Sequence, residues 1–329
     1  MKRFEHGGRV RGRNIRLDFS VNTNPLNIEE NVKKAAANAD YGVYPDASYT
    51  NLKNAITEHE NVSAENIAVS NGASEMIFAA VRAVMPKKAV IVAPTFSEYE
   101  RALLSVGCDV EYYETTEENN FAIGADFADK LSGADMAFIC NPNNPTGTLC
   151  DAEILSAIAE KNITCIVDEC FLDFTDGESA KGKLPVIKAF TKTHAMAGLR
   201  LGYMIADEGF IQKVNEQLPA WNVSAAAEAA GIAAIKNDGY IKKAKEIIKT
   251  EREYLCFELL HLGFKTFKSD ANFILVKGQD GVGEALLKRG ILIRECDNFR
   301  GLDGRFYRIA VKTHAENEIL IKELGDILG

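Results

Sequence analysis

The chain has 329 residues, 47% of them hydrophobic and 26% charged, with a formal net charge of −9. That length exceeds what one core usually fills, so a large domain and a smaller one are expected. The acidic balance argues against nucleic acid or an anionic membrane as the main partner, though not against a small anionic substrate met by a few buried arginines.

In chain order, the start "MKRFEHGGRVRGRN" lacks the apolar run that a signal peptide needs. No later stretch approaches the ~18 to 20 apolar residues of a membrane span. "IEENVKKAAANA" and "YTNLKNAITEHE" read as helices, "NIAVS" as a short strand and "ASEMIFAAVRAVM" as a helix opened by a glycine turn. "KAVIVAP", "DVEYYE", "MAFICN" and "ITCIVDE" are β-rich runs, separated by helical stretches such as "FSEYERALLSV" and "DAEILSAIAEK". Strands alternating with helices predict crossover units and a mostly parallel sheet covered on both faces. From "SAAAEAAGIAAI" through "KKAKEIIKTEREYLCFELLHLG" the pattern is long and helical. "NFILVKG", a helix, "ILIREC", "FYRIAV" and a closing helix then form an α/β unit of separate character. The expected division is an arm plus part of a small domain over 1–40, a large domain over 41–235 and the rest of the small domain over 236–329.

Seven cysteines without CxxC spacing, several inside apolar runs, read as reduced buried thiols of a cytoplasmic protein rather than disulfides or a nucleophile. The five histidines have neither HxxxH nor HExxH spacing, so no metal site is expected.

An open parallel sheet binds ligands at the carboxyl ends of its strands. Three loops fall there: "CNPNNPTG" (140–147), "VDECF" (167–171) and "FTKTHAMAGLR" (190–200). "SNGASE" (70–75) opens a helix whose free N–H groups can hold a phosphate. Together they ask for a ligand with a phosphate, a group that pairs with a carboxylate and an atom that reacts with an amine.

On these stretches the chain resembles the fold-type I pyridoxal-5′-phosphate enzymes of the aminotransferase superfamily over nearly its full length. The resemblance implies an α/β fold with a mostly parallel central sheet in a large domain and a small domain built from both termini. It makes Lys192 the residue that bonds the cofactor aldehyde and Asp168 the partner of the pyridine nitrogen. Asn144 would reach the ring hydroxyl oxygen and Phe96 the ring face. Arg200 would clamp the phosphate beside the backbone donors of Gly72, Ala73 and Ser74. Tyr44 would reach the phosphate of a neighbouring subunit, which implies a homodimer. Ala189 stands where relatives commonly carry a Ser against that phosphate, with Thr191 as a partial substitute.

Two branches look most alike, the histidinol-phosphate aminotransferases and the threonine-phosphate decarboxylases of cobalamin biosynthesis. The opening "HGG" with "LDFSVNTNPL", Phe171 in place of a Tyr, "LPAWNVSAAA" and "RGILIRECDNFRGLDGRFYRIAVKT" are similar to the decarboxylase branch. That likeness makes His6, Gly7, Asn22, Asn144, Arg294 and Arg308 substrate contacts, with Arg294 and Arg308 on neighbouring strands. Two fixed guanidiniums suit a substrate carrying both a carboxylate and a phosphate. Arg300 and Arg305 read as ordinary loop residues. The branches differ in which bond at Cα breaks, so the residues that dock the anions select the reaction. The resemblance implies decarboxylation of L-threonine O-3-phosphate to (R)-1-amino-2-propanol O-2-phosphate. The alternative is an aminotransferase of the histidinol-phosphate type. Serine phosphate, one methyl smaller, is separated by only ~1 to 3 kcal/mol. A non-catalytic descendant of the fold is disfavoured because Lys192, Asp168 and Arg200 are all present.

Overall fold

Alternating side chains along the short apolar runs build one sheet with two buried faces. The structure is a computed structural model and describes residues 4–8, 10–12 and 14–329. Its strands are β1 (Leu17–Asp18), β2 (Ile67–Ser70), β3 (Lys88–Ala93), β4 (Asp109–Glu114), β5 (Met136–Cys140), β6 (Thr164–Asp168), β7 (Val186–Ala189) and β8 (Gly202–Ile205). Toward the carboxyl terminus come β9 (Lys265–Thr266), β10 (Phe273–Lys277), β11 (Ile291–Leu292), β12 (Arg294–Glu295) and β13 (Phe306–Ala310). The large sheet has the order β2-β8-β7-β6-β5-β3-β4. β8 runs antiparallel to both neighbours, and the other pairings are parallel.

The two faces sort by residue parity. Val90, Val92, Ile139, Val167 and Val186 pack with Leu52, Ile56, Ile154, Leu155 and Ala230 of the helices on one side. Ile91, Phe138, Ile166, Ile187 and Met204 pack with Met76, Ile77, Leu103 and Ile211 on the other. Both faces are therefore dry, and functional groups are confined to the strand ends.

A second core gathers Leu255, Leu259, Ile274, Val276, Leu286, Tyr307, Ile309, Leu320 and Leu324 around Phe19 from the chain start. Phe19 is fixed there by its N–H to Leu292 O at 2.7 Å and by its carbonyl, which accepts from Ala310 N–H at 3.0 Å. β1 pairs in parallel with β11, and β12-β13-β10-β9 form an antiparallel sheet. The segment just after Phe19 is thereby carried to the cleft between the two cores. The helix Glu30–Ala37 contributes Val32 to the core of the large sheet. Among the described residues no helix is long and apolar enough to cross a membrane.

One buried charge cluster ties the strands that matter for the site. Glu60, 3% exposed, accepts from Lys188 Nζ and Lys181 Nζ at 2.8 Å and from the Tyr203 hydroxyl at 2.6 Å. Burial acts to raise its carboxyl, but the two lysines and the tyrosine outweigh that and leave it at about 2. Lys188 lies on β7 and Tyr203 on β8. Glu60→Ala leaves the buried Lys188 ammonium with Asp173 Oδ1, 3.2 Å away, as its remaining carboxylate partner, and a cost of about 1.5–3 kcal/mol is expected. The urea midpoint of unfolding measures it; a loss below about 1 kcal/mol contradicts the assignment.

Candidate active site

The carboxyl ends of the parallel strands open into a cavity of about 610 Å³. The loop that carries its lysine starts and ends at one place. Ala189 at the end of β7 pairs with Gly202 at the start of β8, and Phe190 N–H donates to Leu201 O at 3.1 Å. The one-turn helix Phe190–Thr193 lifts Lys192 into the cavity, and the loop returns with Arg200 beside it. This closed loop brings Lys192 and Arg200 to the same end of the sheet. Arg200 takes a left-handed backbone, φ 61°, a conformation that non-glycine residues hold only where surrounding structure enforces it.

Arg200 meets the start of helix Ala73–Val84. A Cβ on Gly72 would lie 2.5 Å from Arg200 Nη2, so only glycine lets the guanidinium press against this turn. Gly202 has a matching need, since its Cβ would lie 2.8 Å from Ala73 N. Gly72 N–H already donates to Ser70 O at 2.8 Å. Its contribution is therefore space rather than a donor, which corrects the expectation for that residue. Ala73 and Ser74 line the cavity. Ala189 does not line it, whereas Thr191 does.

Asp168 ends β6 and is 5% exposed. Its Oδ2 accepts from the Tyr99 hydroxyl at 2.7 Å and its Oδ1 from Cys170 N–H at 3.0 Å. Tyr99 stacks on Phe138 at 4.9 Å. Burial, then the Asp168 charge, raise the Tyr99 hydroxyl well above its usual range, so it stays a donor. The "CNPNNPTG" loop divides its amides between scaffold and site. Asn141 Oδ1 accepts from Cys150 N–H at 2.9 Å, and Asn143 Nδ2 donates to Pro94 O at 2.9 Å. Asn144 is left facing the cavity, where its Oδ1 accepts from Arg308 Nη1. Phe96 lines the wall, 5.6 Å from the Tyr99 ring.

The opposite wall is built by the second core. Arg294 and Arg308 stand directly across from one another in the β12–β13 register. Arg308 is 6% exposed, and its Nη2 donates to Ser20 O at 2.7 Å. With its amide oxygen turned to the guanidinium, Asn22 accepts from Arg308 Nε and Nη1 at 3.2 Å. Burial lowers the Arg308 guanidinium to about 10, so it remains charged at neutral pH. Arg294 Nη2 donates to Glu5 O at 2.7 Å and Asn298 Oδ1 at 2.6 Å. His6 and Gly7 line the cavity mouth, with His6 Nε2 2.8 Å from Glu98 Oε1.

Lys192 Nζ makes no hydrogen bond or salt bridge with any described residue. Burial, then the positive charges of Arg308 and Arg200, lower its ammonium to about 8. An amine in this state is a nucleophile near neutral pH. In cofactor-free protein, acylation of Lys192 is expected to rise with pH through a midpoint near 8, followed by peptide mass analysis. A midpoint at the ordinary 10.5 contradicts this.

Tyr44 lies outside the cavity, 77% exposed, its ring 4.6 Å from that of Trp221. Arg305 pairs with Asp303 on the surface. Arg300 differs from expectation: it lines the cavity, its guanidinium 3.7 Å from the centre of the Tyr112 ring. The sequence reading also missed Tyr99. The signal was its position three after Phe96 in "FSEYER", which puts both rings at one helix start facing the strand ends. All seven cysteines are free, and burial raises the thiols of Cys140 and Cys170, the two that line the cavity.

The aminotransferase class I and II family model matches residues 14–324. A chain from Caldanaerobacter subterraneus subsp. tengcongensis, provisionally named a threonine-phosphate decarboxylase, is 40% identical over 98% of this chain and 94% of its own. The threonine-phosphate decarboxylase of Salmonella typhimurium is 35% identical over 95% of this chain and 91% of its own. Among solved structures, the histidinol-phosphate aminotransferase from Clostridium acetobutylicum superposes with a TM-score of 0.87 at 33% identity, covering 94% of this chain and 98% of that one. With this sheet, this lysine loop and a match over nearly its whole length, the chain belongs to the class I and II aminotransferase family.

Proposed function

We propose that this enzyme decarboxylates L-threonine O-3-phosphate, giving (R)-1-amino-2-propanol O-2-phosphate and CO₂ as a step of cobalamin biosynthesis. Its cofactor is pyridoxal 5′-phosphate, which when bound takes up the electron pair left at Cα as one of its bonds breaks.

The cavity fits this group through its donor set. Arg200 and the N–H groups of Ala73 and Ser74 would hold the phosphate, with the missing Cβ of Gly72 leaving the guanidinium its room. Asp168, steadied by Tyr99, would face the ring nitrogen; Asn144 would reach the ring hydroxyl oxygen and Phe96 the ring face. Lys192 would bond the aldehyde carbon.

The observation that carries the reading is the pair Arg294 and Arg308, opposite one another in register on the wall facing Lys192. With His6 and Asn22 they form a cationic and polar pocket suited to a substrate with two anionic groups. These residues orient the substrate and so select which bond at Cα is presented for cleavage. When the bond to the carboxylate breaks, CO₂ leaves without the bonding pair, and Cα gains one proton. Lys192, with its ammonium at about 8, can hold and deliver that proton. Phe171, 5% exposed and packed edge-on to Phe273 at 5.1 Å, brings no hydroxyl to this wall.

The names of the two relatives above support the decarboxylase reading over the aminotransferase one. The exposed Tyr44, packed on Trp221 beside Tyr41 and Val43, supports a homodimer in which Tyr44 reaches the partner's phosphate site. The division into an arm, a large domain and a small domain, and a cytoplasmic location, belong to the same reading.

Holoenzyme incubated with L-threonine O-3-phosphate is expected to release one CO₂ per amine formed, with no need for a keto acid. Transfer of the amine to 2-oxoglutarate without CO₂ overturns the reading in favour of the histidinol-phosphate type of chemistry.

A further inference from the structure

We propose that Glu98 is the positioning residue for His6, holding the imidazole so that it offers its second ring nitrogen to the substrate's phosphate. The inference rests on the proposed function for the identity of the ligand.

His6 sits on an arm with no regular secondary structure, and its side chain is 45% exposed. Left alone, such a side chain would be a poorly placed ligand, since ordering a free rotamer costs free energy that binding must then supply. Glu98 removes that cost. It lies in the first turn of helix Ser97–Ser105, is 5% exposed, and its Oε1 is 2.8 Å from His6 Nε2. The His6 ring also leans on Phe96 at 5.4 Å. The arm is fixed on its other side by the second core. Glu5 O accepts from Arg294 Nη2 at 2.7 Å and from Asn298 Nδ2 at 3.2 Å, and Gly8 N–H donates to Ser20 Oγ at 2.8 Å. Adjacent arm residues thus grip opposite walls of the cavity.

The chemistry of the pair follows from where its charges lie. A buried carboxylate beside a pocket for an anionic substrate would repel that substrate unless a cation neutralised it. The His6 hydrogen bond is the main cause holding the Glu98 carboxyl below its usual range, with Arg101 3.5 Å away as a weaker second partner. With the Glu98 carboxylate held against Nε2, the ring orientation is set and Nδ1 is the ring nitrogen left to meet the phosphate. A neutral amide at Glu98 would keep the shape but replace the charged acceptor with a weaker one. Glu98 itself touches no reacting atom, so its loss acts through binding.

The test is a double-mutant cycle on the holoenzyme with Glu98→Gln, His6→Ala and the pair. L-threonine O-3-phosphate and L-histidinol phosphate are each titrated against the cofactor absorbance, and CO₂ release is followed in parallel. Glu98→Gln is expected to weaken binding of the preferred ligand about tenfold with kcat kept within about threefold, and to weaken it no further in the His6→Ala background. Cofactor content equal to wild type certifies folding. Unchanged binding in Glu98→Gln overturns the inference, as does an equal tenfold loss when His6 is already absent. If wild type binds the phosphate ester but transfers its amine instead of releasing CO₂, the decarboxylase reading fails while the binding cycle still judges Glu98. Failure of wild type to bind either ester overturns both.

Discussion

Lys192→Ala is expected to reduce kcat by about 10³-fold or more while the protein still retains cofactor non-covalently. The two outcomes separate because different groups carry them. Arg200 and the start of helix Ala73–Val84 would hold the phosphate, and their geometry depends on Gly72 and Gly202 rather than on the lysine side chain. The alanine variant keeps the β7–β8 pairing, because Ala189, Phe190 and Leu201 make it through the backbone. What it loses is an amine whose ammonium lies at about 8, the group able to move a proton at Cα near neutral pH. Steady-state rates together with cofactor content after gel filtration measure both effects. A variant within tenfold of wild type contradicts the assignment, and one that folds but retains no cofactor contradicts the role given to Arg200.

Arg308→Ala is expected to raise KM by about 10²-fold, the equivalent of ~3 kcal/mol for a buried charged hydrogen-bonding group. Cofactor content should fall far less. The structure adds a qualification to a purely substrate-facing role. The same guanidinium donates to Asn144 Oδ1 and Ser20 O, and it reaches Asn22. Truncation frees Asn144, so a modest change in the cofactor spectrum should accompany the change in KM. Arg308→Lys keeps a charge but offers a point donor in place of a fork, and should recover only part of the loss. An alanine variant with wild-type KM contradicts the substrate assignment.

Much of this site was legible in the residues because its parts sit on short local signals. "NPNNPTG", "SNGASE" and "THAMAGLR" each place one functional group at a strand or helix end. The first five strands of the large sheet were equally legible, since β3, β5 and β6 are continuous apolar runs bounded by polar turns. β7 and β8 were not read as strands. Each is only four residues long, and "VIKA" carries Lys188, a charge that looks solvent-facing until Glu60 is known to meet it across the core. The contribution of Phe19 to the second core escaped for a related reason, because its partners come from the far end of the chain. His6 with Glu98, and Arg308 with Asn144 and Ser20, are likewise long-range pairs with no local periodicity to announce them. Arg300 reaches the cavity rim by stacking on Tyr112, a placement that nothing in "NFRGLDGR" announces.

The account stands on one covalent attachment point. Holoenzyme is to be treated with borohydride, which makes a carbonyl–amine link permanent, then digested and its peptides weighed. The account predicts the added pyridoxyl mass on the peptide that contains Lys192 and on no other. An unmodified Lys192 peptide, or the added mass on a different lysine, would contradict it.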